Sequence, residues 1–335
     1  MAVKVALNGM GRIGRCILRH WIESGRDDID IVAVNAPGDI KRHIHLLKYD
    51  SIHGVLNANI QGGDDWYSIN GKKMVRFNER DPAKIDWDDV GGAEIVLECT
   101  GHFRTKDEAA KYRAISDVKV IISAPSPDAD ACIVHGVNDA DLKKEHRIIS
   151  IGSCTTNCLA PVAKVLNDAL GIEKGFVTTV HAYTNDQNLT DGAHDDLRRA
   201  RAAAISMIPS TTGAAKAISQ VIPELKGKLD GTSIRVPVPN VSMIDFKAIV
   251  SRETSVKEIN ELMKKASGGA MKGVLGYTEE PLVSIDYNGN TSSSTFDTTG
   301  TFVIGGNFVR VVAWYDNEVG FSVRMLDVAA RFGRM

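Results

Sequence analysis

Val3-Lys4-Val5-Ala6-Leu7-Asn8-Gly9-Met10-Gly11-Arg12-Ile13-Gly14 opens the chain with an apolar run, three glycines and the start of a helical pattern. Val3 to Leu7 reads as a buried parallel strand, and Ile13 to Trp21 as the helix that follows it. Gly9, Gly11 and Gly14 have the spacing of a dinucleotide-binding turn. A glycine triplet alone is weak evidence; between a strand and a helix it is strong. The three glycines permit a tight turn, close approach of the main chain to a pyrophosphate, and close packing of helix on strand. Arg12 and Ile13 lie in this turn, where the main chain would face the cofactor.

The next apolar segments extend the pattern. Ile29 to Val34, Ile95 to Cys99 and Val118 to Ile122 read as further strands, and Trp66 to Phe77 as a hairpin around Asn70-Gly71. In a parallel sheet the strand ends share one edge, where the cofactor crevice lies, so Thr100, Gly101 and Ser123 are cofactor-side candidates. The end of the second strand normally carries an acidic residue that bonds the adenosine ribose. Here the chain reads Asn35-Ala36-Pro37-Gly38, with Asp39 three positions after Ala36. The second half changes character. Phe176 to His181, Thr232 to Val236, Ser242 to Val250 and Phe302 to Trp314 read as long, partly alternating strands, and Ser322 to Arg331 as a helix. The fold class is α/β: a Rossmann-type dinucleotide-binding domain over 1–152, and an α+β catalytic domain with a mixed sheet over 153–317.

Composition narrows the function. A chain of 335 residues, 43% hydrophobic and 24% charged, is that of an ordinary globular protein with room for two cores. A formal net charge of −2 gives no electrostatic case for nucleic acid or an anionic membrane. No apolar run reaches the length of a bilayer span. Five cysteines, few and odd in number, argue against a disulfide framework and fit a reducing cytoplasm. Cys154 and Cys158 have no second pair at zinc-ligand spacing, so no metal is expected.

Ser150-Ile151-Gly152-Ser153-Cys154-Thr155-Thr156-Asn157-Cys158-Leu159-Ala160-Pro161 is where chemistry is expected. It follows an apolar run and opens a helical pattern to Leu170. Cys154 therefore falls at a helix N-terminus, where free N–H groups and the helix dipole favour a thiolate. Ser153 and Thr155 add hydroxyl donors beside it, and such a turn can also hold an anion. His181 ends a predicted strand. A helix and a returning strand fill the interval between Cys154 and His181, so the two side chains can meet as nucleophile and base. Arg235 stands inside the apolar strand Ile234-Arg235-Val236, a context that asks for an anionic partner, either a ligand or a protein carboxylate.

The Ser153-Cys154-Thr155-Thr156-Asn157-Cys158 run resembles the nucleophile segment of the glyceraldehyde-3-phosphate dehydrogenases. So, in order, do Asn8 to Arg15, Leu47 to Asp50, Glu98 to Gly101, His181 to Gln187, Thr212 to Lys216 and Trp314 to Glu318. The resemblance covers nearly the whole chain. It implies that Arg199 and Arg235, with Thr184, Thr212 and Gly213, hold a substrate phosphate and inorganic phosphate. It implies that Arg80 lies on the adenine side and that Asn317 bonds the nicotinamide carboxamide. It further implies a C-terminal helix over about 318–335 that packs back on the first domain, and a homotetramer in which the Asp186 to Arg201 loop reaches a neighbouring subunit's cofactor. The implied reaction is phosphorylating oxidation of D-glyceraldehyde 3-phosphate through a Cys154 thiohemiacetal and thioester, with His181 as base. Erythrose-4-phosphate dehydrogenase, within the same fold, and a non-enzymatic binding role are the alternatives.

Ala36 is the informative departure, because the family usually has aspartate there. An aspartate would bond the ribose 2′-OH of NAD and repel the 2′-phosphate of NADP; alanine does neither. The small pair Gly192-Ala193, and the cations Lys41 and Arg42, point the same way. NADP acceptance is therefore expected, with NAD as the alternative if Asn35 or Asp39 takes the ribose hydroxyls.

Overall fold

The structure is a computed structural model and describes residues 1–89 and 91–335. Two units divide the chain. The first comprises Met1–Ile133, Asp139–Gly152 and Ser322–Met335, and the second Val134–Asn138 and Ser153–Phe321.

In the first unit the strand Val3–Asn8 lies inside a sheet of nine strands among the described residues. It pairs in parallel with Ile29–Asn35 on one side and Ile95–Glu98 on the other. The parallel order runs on through Lys119–Ile122, Ile148–Ser150 and Ala131–Cys132 at one end, and through Lys72–Phe77 at the other. The chain thus reverses its direction of travel across the sheet at Val3–Asn8, which creates a switch-point crevice at that strand's C-terminal end. Trp66–Ile69 and Lys72–Phe77 form the expected hairpin. Its turn residues Asn70 and Gly71 have φ of 51° and 86°, the left-handed pair that matches strand twist. Beneath the sheet, Trp87, Tyr112, Val96, Val120 and Ile122 are buried together, with Phe77 and Phe103 packed against them. The Trp87–Tyr112 and Phe103–Tyr112 ring centroids are 5.7 and 5.6 Å apart. Lys119 Nζ donates to Phe332 O at 2.7 Å, tying the end of the C-terminal helix to this sheet.

In the second unit the strand order is Ile208–Thr211, Leu229–Val236, Ile172–Ala182, Ser242–Val250, Phe308–Tyr315, Ser294–Ile304, Leu275–Thr278, a mixed sheet of seven strands among the described residues. Ile172–Ala182 is parallel to Leu229–Val236 and antiparallel to Ser242–Val250. The Cys154–Leu170 helix covers one face with Cys158, Leu159, Val162 and Leu166 fully buried. Each large aliphatic side chain so buried contributes roughly 1.5–3 kcal/mol. The single strand expected over Phe302 to Trp314 is instead a hairpin, Ser294–Ile304 with Phe308–Tyr315. Gly305 and Gly306, at φ 59° and 79°, turn the chain back. Alternation continues on both sides of the pair, so the pattern reads as one strand although its glycines break it.

Candidate active site

Gly152, at φ 70°, carries the chain from the strand Ile148–Ser150 into the helix that begins at Cys154. Ser153 caps that helix: its Oγ accepts from Thr156 N at 3.0 Å, and its carbonyl accepts from Asn157 Nδ2 at 2.9 Å. The cap leaves Cys154 in the first turn, with its thiol half-buried. Cys154 Sγ lies 3.5 Å from His181 Nε2. His181 is buried near the end of the strand Ile172–Ala182, and its Nδ1 is 2.7 Å from Ala182 O. A carbonyl only accepts, so the hydrogen sits on Nδ1 and the lone pair of Nε2 faces the sulfur.

Arg235 is the register partner of His181 on the neighbouring parallel strand. Its Nη1 lies 3.1 Å from Ala182 O, 3.1 Å from His181 Nδ1 and 3.4 Å from Thr184 Oγ1. With Nδ1 carrying a hydrogen, the carbonyl and the Thr184 hydroxyl are its acceptors. Arg235 Nε is buried with no partner. Among the described residues no protein carboxylate bonds this cation, which leaves a donor for an external anion.

Burial sets the charge states. It pushes the Cys154 thiol up, against the pull of the Arg235 guanidinium and the N–H of Thr155. It pushes the His181 imidazole down to about 3, and Arg235 adds to the shift. Burial thus favours the neutral form of each group on its own. Transfer of the proton from Sγ to Nε2 keeps the pair neutral overall and is the route to a thiolate here. Cys158, fully buried with its Sγ 3.3 Å from Ser294 Oγ, is pushed up by burial too and lies off this route. Cys99, Cys154 and Cys158 are thiols outside any disulfide.

Around the pair, Thr155 Oγ1 and Thr179 Oγ1 each lie 2.9 Å from Tyr315 OH. The buried Tyr315 ring sits edge-on to His181, with centroids 5.9 Å apart. Tyr315 lies in the Trp314 to Glu318 stretch, and nothing in a strand-end tyrosine signals that it braces a threonine beside a thiol. Arg199 is braced within the protein: Nη1 pairs with Asp186, Nε donates to Ser210 Oγ at 2.7 Å, and Nη2 reaches Thr211 O at 3.3 Å. Beyond Thr211, Thr212 Oγ1 accepts from Ala214 N at 3.2 Å, and Gly213 starts the Ala214–Val221 helix without a side-chain cap. Asn317 Oδ1 accepts from Ser242 Oγ at 2.9 Å.

In the first unit, Gly9 sits at φ 104°, and a Cβ there would meet Cys99 C at 2.9 Å. A Cβ on Gly14 would stand 2.0 Å from Gly9 O. A Cβ on Gly11 would meet nothing nearer than Cys99 O at 4.0 Å, so chain packing does not require that glycine. Gly11 precedes the Arg12–Ser24 helix with no side-chain cap. Open space before uncapped N–H groups, including that of Ile13, fits a pyrophosphate. The Arg12 side chain is bound to Asp50 at 2.5 Å, so only its main chain serves this turn. Thr100 and Gly101 both donate their N–H to the buried Glu98 Oε1, at 2.7 and 3.1 Å. Ser123 N donates to Glu98 O at 3.0 Å.

Ala36 is buried at the end of the second strand. The Asn35 amide is fully engaged. Its Nδ2 donates to Asn8 Oδ1 at 2.6 Å and Glu79 O at 2.8 Å, and its Oδ1 accepts from Glu79 N at 3.1 Å. Asp39 caps the Ile40–Lys48 helix by accepting from Lys41 N at 3.0 Å. The Asn35 amide is therefore occupied within the protein, whereas Asp39 uses only Oδ1 for its cap. Arg80, in an exposed loop, has its N–H bound to Glu79 Oε1 at 2.8 Å.

Family models match both halves: the glyceraldehyde 3-phosphate dehydrogenase NAD binding domain over residues 3–106, and its C-terminal domain over 153–317. The chain is 53% identical to the glyceraldehyde-3-phosphate dehydrogenase of Xanthobacter flavus over 335 residues, with all of both chains covered. It is 50% identical to that of Cereibacter sphaeroides over the same span, again with full coverage. It is 53% identical to that of Geobacillus stearothermophilus over 331 residues, 98% of each chain. A glycine turn shaped for a dinucleotide, a thiol facing an imidazole lone pair, and full-length likeness converge: the chain belongs to the glyceraldehyde-3-phosphate dehydrogenase family.

Proposed function

We propose that the protein catalyses the phosphorylating oxidation of D-glyceraldehyde 3-phosphate to 1,3-bisphosphoglycerate, with Cys154 as nucleophile and His181 as base. The observation that carries this reading is the 3.5 Å approach of Cys154 Sγ to the Nε2 lone pair of His181. His181 takes the thiol proton as the sulfur adds to the aldehyde carbon, and returns it to the oxygen of the resulting thiohemiacetal. The N–H of Cys154 and His181 stabilise that oxygen while it carries charge. A nicotinamide cofactor, when bound, would supply the hydride acceptor for oxidation; His181 would take the hydroxyl proton as the Cys154 adduct becomes a thioester. Inorganic phosphate then attacks the thioester carbonyl, releasing the acyl phosphate and the thiolate. Arg235 with Thr184 serves one phosphate. Arg199, held by Asp186, serves the other with Thr212, Gly213 and Ser153, while Thr155 braces Tyr315. Asn317 holds the nicotinamide carboxamide. Residues 1–152 act as the cofactor domain and 153–317 as the catalytic domain.

The family's first domain supports NAD use. The finer reading is that NADP is accepted as well. In support, Ala36 offers no carboxylate, and the Asn35 amide is engaged elsewhere. Kinetics with both cofactors, on glyceraldehyde 3-phosphate and erythrose 4-phosphate, with and without inorganic phosphate, test the whole proposal. The expected result is phosphate-dependent turnover that favours the triose, with measurable kcat/KM for NADP and a sharp fall in the NADP to NAD ratio in Ala36→Asp. Preference for the tetrose would overturn the substrate assignment. A low native ratio unchanged by Ala36→Asp would overturn the cofactor assignment.

The same reading includes a homotetramer. Leu189, Leu197, Ile205 and Met207 are 76–83% exposed along one segment, more apolar surface than a lone subunit normally leaves to water. Just before that segment both polar atoms of the Gln187 amide are buried without a partner.

A further inference from the structure

The strand Ser242–Val250 stops pairing with Ile172–Ala182 at Met243, which faces Val180. Just before it, Val241 sits at φ 67°, a left-handed conformation that a buried β-branched residue rarely adopts. Val241 carries the main chain out of the ladder, so Ala182 N–H finds no main-chain acceptor on that strand. Its acceptor is Ser242 Oγ, at 3.0 Å. Because that oxygen accepts from Ala182, its own hydrogen is directed to Asn317 Oδ1, 2.9 Å away. This bond orients the Asn317 amide and turns its Nδ2 away from Ser242. The other side of the Ala182 residue is equally committed: its carbonyl accepts from His181 Nδ1 at 2.7 Å and from Arg235 Nη1 at 3.1 Å. One main-chain residue therefore joins the acid–base imidazole, the anion-binding guanidinium and, through a single hydroxyl, the carboxamide-binding asparagine. The backbone on both sides of Ser242 is pinned. Asn240 Nδ2 donates to Asp316 Oδ2 at 2.9 Å, and Ser242 is the register partner of Tyr315. Ser242 and Asp316 are each 1% exposed, so no water competes for these bonds.

We propose that Ser242 is a positioning residue for hydride transfer: its hydroxyl, set by the left-handed turn at Val241, fixes the Asn317 amide in the orientation that presents one face of the nicotinamide ring. The proposal rests on the dehydrogenase reading above. It adds a residue that touches no reacting atom and acts through Asn317.

The test compares the wild type with Ser242→Ala and with Ser242→Cys, which fills the same space with a poor donor. Two readouts are used: the Kd for the oxidised cofactor against that for ADP-ribose, which lacks the nicotinamide, and the face of transfer with cofactor deuterated at C4. The expected result is cofactor binding weakened about 10-fold, the loss of roughly one hydrogen bond, with ADP-ribose binding unchanged and detectable wrong-face transfer in both variants. Variants that keep wild-type discrimination between the two ligands and wild-type face fidelity overturn the proposal, as does equal weakening of both ligands. Should Ser242→Ala unfold, Ser242→Cys alone decides. Wild-type protein that transfers no hydride at all would instead refute the dehydrogenase reading.

Discussion

In the proposed reaction Cys154 and His181 carry the central chemistry, and their predicted phenotypes differ. Cys154→Ser should abolish oxidation, because a serine hydroxyl beside a neutral imidazole is a far weaker nucleophile than a thiolate. His181→Asn should lower kcat by roughly two to four orders of magnitude while the protein still binds cofactor. Steady-state kinetics with a parallel binding titration check both; a His181→Asn enzyme at full rate would remove the base from this account. At this scale the meeting of Cys154 with His181 was legible in the sequence, since a cysteine amid hydroxyl residues at a strand–helix junction and a strand-end histidine are local signals. The state of Arg199 was not legible. Its ion pair with Asp186 spans thirteen positions of an irregular loop, and no periodicity reports it. Ser242 was equally silent, because its importance comes from which strand end it faces.

Elements explain how those residues are held. The Arg12–Ser24 helix has no capping side chain, and an ion pair from its first residue to Asp50 anchors it instead. Burial pushes the Asp50 carboxyl up, but the Arg12 guanidinium and the N–H groups of His53 and Ile52 outweigh it and bring the group from 3.8 down to about 2. A depressed folded-state value means that this stabilisation is present above the unfolded value and is lost as pH falls through the folded one. Asp50→Asn should therefore lower stability near neutral pH by about 2–3 kcal/mol. The difference from the wild type should shrink as pH drops from about 4 towards 2. Denaturant unfolding across that window checks it; a gap independent of pH would show that Asp50 acts through packing alone. The strand–glycine–helix opening was readable because each step has its own period and turn chemistry. The Ser294–Ile304 and Phe308–Tyr315 hairpin was misread because alternation runs unbroken up to a glycine pair whose left-handed angles only the fold reveals.

For the whole molecule, the proposed assembly would cover the exposed apolar side chains from Leu189 to Met207 and the Gln187 amide. Light scattering should give a tetramer, and Leu197→Asp should shift it towards smaller species with loss of activity; a fully active monomer would refute that assembly. The account as a whole stands on a covalent intermediate at one sulfur. The direct test mixes the wild-type protein with glyceraldehyde 3-phosphate and oxidised cofactor without inorganic phosphate, followed by acid quench and peptide mass spectrometry. The predicted result is a burst of one reduced cofactor per chain and a phosphoglyceroyl thioester on the peptide containing Cys154, discharged when phosphate is added. Turnover with no acyl group on Cys154, or with the acyl group on Cys158 or any other residue, would contradict it.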